Sequence, residues 1–275
     1  MIPAKFEYRR AGSVDEAIGL LEQDPDETKL LAGGHSLLPL MKLRLATPAL
    51  LVDVGRIEGL SYVRDAGDHV AIGALTRHRD LEVSDVALAH APLLARVAGQ
   101  VGDPQVRHRG TIGGSISHGD PASDLPAAAL AYGATFVVQG PNGTREIPAD
   151  AFFLGFLETA LAPAEMLLEI RVPKASGGFG FQKFNRRAQD WAIVGVAAAL
   201  NGTPRVALVN MGPAPLRATA VEEALASGAS VADAAAHAAD GLEPPSDVHA
   251  STEYRTHLAT VLVRRALEEA SAARG

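Results

Sequence analysis

Cysteine is absent from all 275 residues, and with it go disulfides, thiol nucleophiles, thiolate zinc sites and iron–sulfur ligation. Redox chemistry on such a chain requires a bound organic cofactor. Long apolar runs are missing too, since nothing approaches the roughly 20 residues of a membrane-spanning helix. The opening MIPAKFEYRR lacks the apolar stretch of a secretory signal, so a cytoplasmic location is expected. Nor is positive charge in excess. The formal net charge is -7, with acids and bases spread along the chain, which leaves no basic stripe for a phosphate backbone and no place for nucleic acid.

What is present is a hydrophobic content of 47%, enough for more than one core. Ser13 and Glu16 stand in capping-box spacing, with Val14, Ala17, Ile18 and Leu21 on one face, so a helix starts there. KLLAGG is a strand stopped by glycines, and ALLVDVGRI at 49–57 is another. SYVRDAGDHVAIGAL reads as a hairpin about Ala-Gly-Asp. Leu93, Leu94, Val97, Ala98 and Val101 mark a helix. Ser123 as N-cap, Pro126 in the first turn and Gly133 as the stop frame a second, alanine-rich one. ATFVVQGPNGTREIP is a second hairpin.

After Pro173 the character changes. ASGGFG is a joint, and FQKFNRRAQDWAIVGVAAAL and PRVALVNMG read as strands about an Asn-Gly-Thr turn. Residues 220–240 are helical, and STEYRTHLATVLVRRALEEA is an amphipathic helix with Tyr254, Leu258, Val261 and Leu262 on one stripe, a solvated Arg and Glu face, and an apolar surface for a partner to cover. The expected units are 1–56, 57–173 and 178–275.

Two glycine pairs carry the chemistry. Adjacent glycines after a strand allow positive φ and remove the Cβ that keeps a ligand from the backbone. Successive main-chain N–H groups can then converge on an anion. Gly33-Gly34-His35-Ser36 fits this, and Gly113-Gly114-Ser115, flanked by Thr111 and Ser117, is the second candidate. Turns alone account for most glycine pairs, but two such loops could bracket the neighbouring charges of a pyrophosphate. Neither has the spacing of a Rossmann crossover or a P-loop.

AGGHSLLPLMKLRL, RGTIGGSISHGDPASDLPAAALAYGA, FQKFNRRAQDWAIVGVA and YRTHLATVLVRRAL together resemble the FAD-binding medium subunits of molybdenum hydroxylases, and most closely the carbon monoxide dehydrogenase branch. The resemblance spans essentially the whole chain. It implies an α+β protein: two α/β subdomains forming a non-Rossmann FAD-binding fold of the vanillyl-alcohol-oxidase type, then an antiparallel sheet with helices. It implies that Ala32, Gly33, Gly34, His35, Ser36 and Leu37 wrap the FAD pyrophosphate, and that Thr111, Gly113, Gly114 and Ser115 touch the cofactor from the other side. It further implies that Asp124 accepts hydrogen bonds from ribityl or ribose hydroxyls, that Leu168 lies near the flavin ring, and that Gly102 and Lys183 also bind the cofactor. Many relatives have Asn where this chain has Ser115.

Function follows by the same resemblance: an oxidoreductase subunit whose FAD takes electrons from the 2Fe–2S clusters of a small subunit, fed by the molybdenum cofactor of a large subunit, and passes them to a quinone or other acceptor, in a dimer of heterotrimers. No catalytic acid, base or metal ligand is expected on this chain. A self-contained FAD-dependent reductase or oxidase of the same fold, and a non-catalytic scaffold, stand as alternatives.

Other polar residues receive blander readings. His118, Asp120 and Asp124 read as loop and cap residues rather than metal ligands. His35, His78 and His108 read as turn or surface histidines, and Trp191 as buried packing. On a continuous strand Lys183 and Arg187 would share one face, and Arg186 and Asp190 the other.

Overall fold

The first helix opens as its spacing predicts. The Ser13 Oγ accepts from the Glu16 N–H, and the Glu16 carboxylate reaches back to the Gly12 N–H at 2.7 Å, which satisfies two of the donors a helix start leaves bare. In the computed structural model, which describes residues 2–273, this helix belongs to a small parallel unit of β1 (Glu7–Arg10), α1 (Val14–Gln23), β2 (Thr28–Leu31), α2 (Leu37–Leu43) and β3 (Leu50–Asp53). The strand order is β1-β3-β2. Leu51 and Val52 of the central strand are buried, while β1 is exposed along its length.

The second unit holds β4 (Val63–Asp65), β5 (His69–Gly73), α3 (His78–Glu82), α4 (Asp85–His90), α5 (Pro92–Gly99), α6 (Pro104–Arg109), α7 (Ile112–His118), α8 (Asp124–Tyr132), β6 (Thr135–Gly140), β7 (Gly143–Pro148), the short hairpin β8 (Phe153–Gly155) and β9 (Glu158–Thr159), and β10 (Met166–Pro173). Its sheet runs β4-β5-β10-β6-β7. Both predicted hairpins are there, turning at Gly67 and Gly143 with φ of 95° and 104°. The central strand β10 follows a turn at Pro163 in which the Glu165 N–H donates to the Ala162 carbonyl, but its nearly continuous apolar run does not by itself separate strand from buried helix. Ile170 on it faces Ile72 on one side and Phe136 on the other.

The third unit comprises β11 (Phe179–Phe184), β12 (Val194–Ala199), β13 (Arg205–Val209), β14 (Leu216–Arg217), α9 (Thr219–Ala226), α10 (Val231–Ala236) and α11 (Thr252–Ala272). Its antiparallel sheet alternates between two cores, as a period of two requires. Ala197, Ala199, Ala207 and Val209 face the core of the second unit, whereas Val194, Val196, Val206 and Leu208 pack with Leu258 and Leu262 of α11.

Helix α8 sits between those layers. All nine of its residues are buried, and it touches α5 and β10 on one side and β12, β13 and β14 on the other. A helix covered all round needs apolar residues on every face, as this one has apart from Asp124 at its start, and its alanines allow both layers to approach. The Tyr132 hydroxyl at its end accepts from the Leu93 N–H at 3.0 Å. Tyr132→Phe leaves that buried donor bare and is expected to cost about 1–3 kcal/mol in a denaturant melt.

Several expectations for the third unit are corrected. The run 181–200 is not one strand, because residues 185–191 leave the sheet as a turn, the Asn185 amide donating to the Ala188 and Asp190 carbonyls. Lys183 and Arg187 therefore share no strand face, and Arg187 pairs with Asp190 on the surface. Trp191 is 57% exposed rather than packed inside. On α11 the Arg and Glu face is not wholly solvated. Arg255 is buried, donating to the Ile193 carbonyl and pairing with Asp247, and Glu269 accepts from the Phe181 N–H and the Gln182 amide while pairing with Arg96. The side of α11 that carries Leu258 and Leu262 is already covered by its own sheet, while Leu45, Phe156 and Val248 are large apolar residues exposed elsewhere on the surface.

Candidate functional site

The three units meet around one cavity of about 570 Å³, within the usual roughly 300–1,000 Å³ of cofactor sites. Ala32, Gly33, Gly34, His35, Ser36 and Leu37 border it from the first unit, Gly102, Thr111, Gly113, Gly114, Ser115 and Asp124 from the second, and Lys183 from the third. Leu168 does not. It sits at a register shift in β10 and packs toward the core of the first unit, and its carbonyl accepts from the Ala74 N–H. The cavity wall on that strand is Met166 and Leu167.

The loop 33–36 is shaped by two different demands. Gly34 carries the left-handed φ of 78°. Gly33 is required for contact instead, because a Cβ there would lie 2.4 Å from the Arg109 carbonyl oxygen and 2.9 Å from the Gly110 Cα. That contact places the segment before the second glycine pair directly against the first loop. The main-chain N–H groups of residues 33–36 have no hydrogen-bond partner within the chain among the described residues, while the Gly34 and Ser36 carbonyls accept from the Leu38 and Leu40 N–H groups. A row of unpaired N–H groups on a cavity wall is an anion cradle.

The second glycine pair differs from the expectation of a matching cradle. Its N–H groups are occupied: Gly113 donates to Ala74, Gly114 to the Thr111 Oγ1 and Ser115 to the Thr111 carbonyl, all within 3.1 Å. The pair forms the first turn of α7, and a Cβ at Gly113 would lie 2.5 Å from Ala74. These glycines bring a helix close to the end of β5. The cavity thus has one wall of free donors and one close-packed wall carrying the hydroxyls of Thr111 and Ser115, the latter paired with Ser123 at 2.9 Å.

Between the second and third units lies a buried ion pair. Lys183 Nζ is 2.6 Å from the Asp124 Oδ2 and donates to the Gln100 carbonyl at 3.1 Å. The other oxygen, Oδ1, is buried without a partner. Burial pushes the Asp124 carboxyl above its ordinary range, and Lys183 opposes that only in part. A buried carboxylate oxygen beside a cavity can accept a hydrogen bond from a hydroxyl there.

The histidines divide. His35 is only partly covered, with Nδ1 at 3.0 Å from the Gly33 carbonyl. His78 is buried, contrary to the surface reading, and forms part of the cavity wall. Burial first, then the charges of His35, Arg77 and Arg107, holds its pKa down to about 4. The ring is therefore neutral in the fold while an unfolded histidine titrates near 6.5. Stability is full above that value and falls as pH drops through the window between about 6.5 and 4, where only the unfolded chain takes up the proton. Urea melts at about pH 7.5 and about pH 5 should show that loss in the parent chain and a flatter profile in His78→Gln. No sequence signal distinguishes His78, since its burial comes from α6 folding back over it.

Residues 4–175 match the family model described as the FAD binding domain in molybdopterin dehydrogenase, and residues 179–270 that of the CO dehydrogenase flavoprotein C-terminal domain. The chain is 45% identical to the carbon monoxide dehydrogenase medium chain of Hydrogenophaga pseudoflava, over 98% of both chains. It is 36% identical to the 6-hydroxypseudooxynicotine dehydrogenase complex subunit alpha of Paenarthrobacter nicotinovorans, over 98% of this chain and 96% of that one. A solved structure of the Hydrogenophaga pseudoflava carbon monoxide dehydrogenase lacking the Mo-pyranopterin moiety superimposes with a TM-score of 0.95 at 47% identity, covering both chains in full.

Proposed function

Since the chain belongs to the FAD-binding medium-subunit family of the molybdopterin dehydrogenases, we propose that it is the flavin relay of a carbon monoxide dehydrogenase-like molybdenum hydroxylase. FAD is held between the units at 1–56 and 57–173, with 178–275 closing the site. The observation that carries this reading is the pairing of opposite chemistries in one cavity: unpaired N–H groups at 33–36, suited to a diphosphate, and the bare Asp124 Oδ1, suited to a sugar hydroxyl. A dinucleotide presents both.

In this reading the residues hold and shield rather than react. The 33–36 loop donates to the phosphates, Asp124 accepts from a hydroxyl, Lys183 keeps that carboxylate oriented, and Met166 and Leu167 give an apolar wall. When bound, the flavin accepts electrons singly and releases them in pairs. The donors are the iron–sulfur clusters of a small subunit, themselves supplied by a large molybdenum subunit, and the acceptor is a quinone, the whole forming a dimer of heterotrimers. No helix among the described residues is long and apolar enough to cross a membrane. The location that goes with this reading is cytoplasmic, with association to the inner face of a membrane made through the complex.

The test is to co-express the chain with its partner subunits and compare it with the chain alone. Supporting results are one FAD per chain, native mass spectra of the assembled complex, and flavin reduction by carbon monoxide only in that complex. Turnover of NAD(P)H or an organic substrate by the isolated chain would favour the self-contained reductase or oxidase, and a colourless chain that takes up no FAD would favour the scaffold.

A further inference from the structure

His78 is the buried ionisable group of the cavity that the reading above leaves without a task. It is 4% exposed, it forms part of the cavity wall, and its Nδ1 is sealed from solvent without a hydrogen-bond partner. Its place is also specific. The main-chain N–H donates to the Gly110 carbonyl at 3.0 Å, and the Cδ2–Nε2 edge of the ring lies against Gly110, where an added Cβ would be 2.6 Å from both atoms. Gly110 in turn abuts Gly33. The ring therefore backs the junction of the two glycine segments, and His35 is among the charges that act on it.

The tautomer follows from the surroundings. A neutral imidazole carries one N–H and one bare nitrogen, and a buried N–H without an acceptor is the costlier of the two to leave unpaired. With no acceptor at Nδ1, the proton rests on Nε2. That puts a donor on the edge of the ring that faces the loop junction.

We propose that His78 is a further residue of the dinucleotide site, donating from Nε2 to the diphosphate-bearing end of the bound cofactor. The assignment rests on the flavin reading above. It makes His78 a side-chain donor that supplements the main-chain donors of 33–36, uncharged at neutral pH and therefore not dependent on a salt bridge.

Substitution by glutamine or asparagine separates the two ring nitrogens, because the glutamine amide reaches the Nε2 position and the shorter asparagine amide reaches only that of Nδ1. The full chain is titrated with FAD, by quenching of flavin fluorescence, and with ADP, which carries the diphosphate without the flavin. His78→Leu and His78→Asn should each lose about tenfold in affinity for both ligands, while His78→Gln stays within about threefold of the parent. Should His78→Leu fail to fold by circular dichroism, the Gln and Asn pair still decides. Equal affinities in all variants would overturn the contact, and equal losses in Gln and Asn would reduce His78 to packing. A parent chain that binds neither ligand would overturn the flavin reading and this contact with it, whereas one that binds ADP but not FAD would overturn the flavin reading alone and leave the contact to be decided by the ADP titrations.

Discussion

Gly33→Val is expected to purify without flavin and to lose at least about 100-fold in FAD affinity, roughly 2.7 kcal/mol. From the sequence alone, a branched side chain there would bar the diphosphate from the backbone. The structure assigns a different cause. A Cβ added at Gly33 would point into the Arg109 carbonyl and the Gly110 Cα, backbone atoms that cannot swing aside. The loop must back out of its seat, and its N–H groups leave the wall that they line. Overpacking of this kind costs about 1–3 kcal/mol in stability as well, so a denaturant melt should shift alongside the flavin content. Gly19→Ala is the control, since nothing lies within 4 Å of the Cβ position there; it should retain flavin. A yellow Gly33→Val chain with parental melting would remove this loop from the site.

Lys183→Ala is expected to destabilise the chain by about 3–5 kcal/mol, the usual cost of deleting one partner of a buried ion pair. Both members are nearly inaccessible, at 5% and 6% of side-chain exposure. Without Lys183, Asp124 would keep two bare oxygens in a setting that already pushes its carboxyl upward. Flavin retention should weaken with stability, because the oxygen offered to the ligand is oriented by the one bound to lysine. Lys183→Ala combined with Asp124→Leu separates the contributions. It removes the stranded carboxylate and should recover part of the stability while leaving flavin binding poor. Equal melting of the parent and the single variant would show the pair to be incidental.

How far the sequence reaches can be seen in individual residues. Ser13, Gly67, Gly133 and Gly143 act locally, through a cap or a left-handed turn, so their elements are readable from neighbours within a few positions. The cavity is readable because glycine pairs advertise close backbone approach. Which atoms approach is not, since Arg109 and Ala74 meet Gly33 and Gly113 only in the folded tertiary structure, across 76 and 39 positions of sequence. The same reason hides β10, whose place comes from Ile72 and Phe136, and Arg255, which is buried because the loop carrying Asp247 passes beside it. Lys183 and Asp124 are each visible as site residues, but their partnership joins positions 59 apart and belongs to tertiary structure.

Helix α8 has one more implication. Because the same nine residues serve as floor for one layer and ceiling for the next, the C-terminal third has no independent hydrophobic interior on that side. Proteolytic cleavage in the joint at 174–178 would cut the chain but not part it: the two fragments should travel together on a sizing column and melt in a single transition.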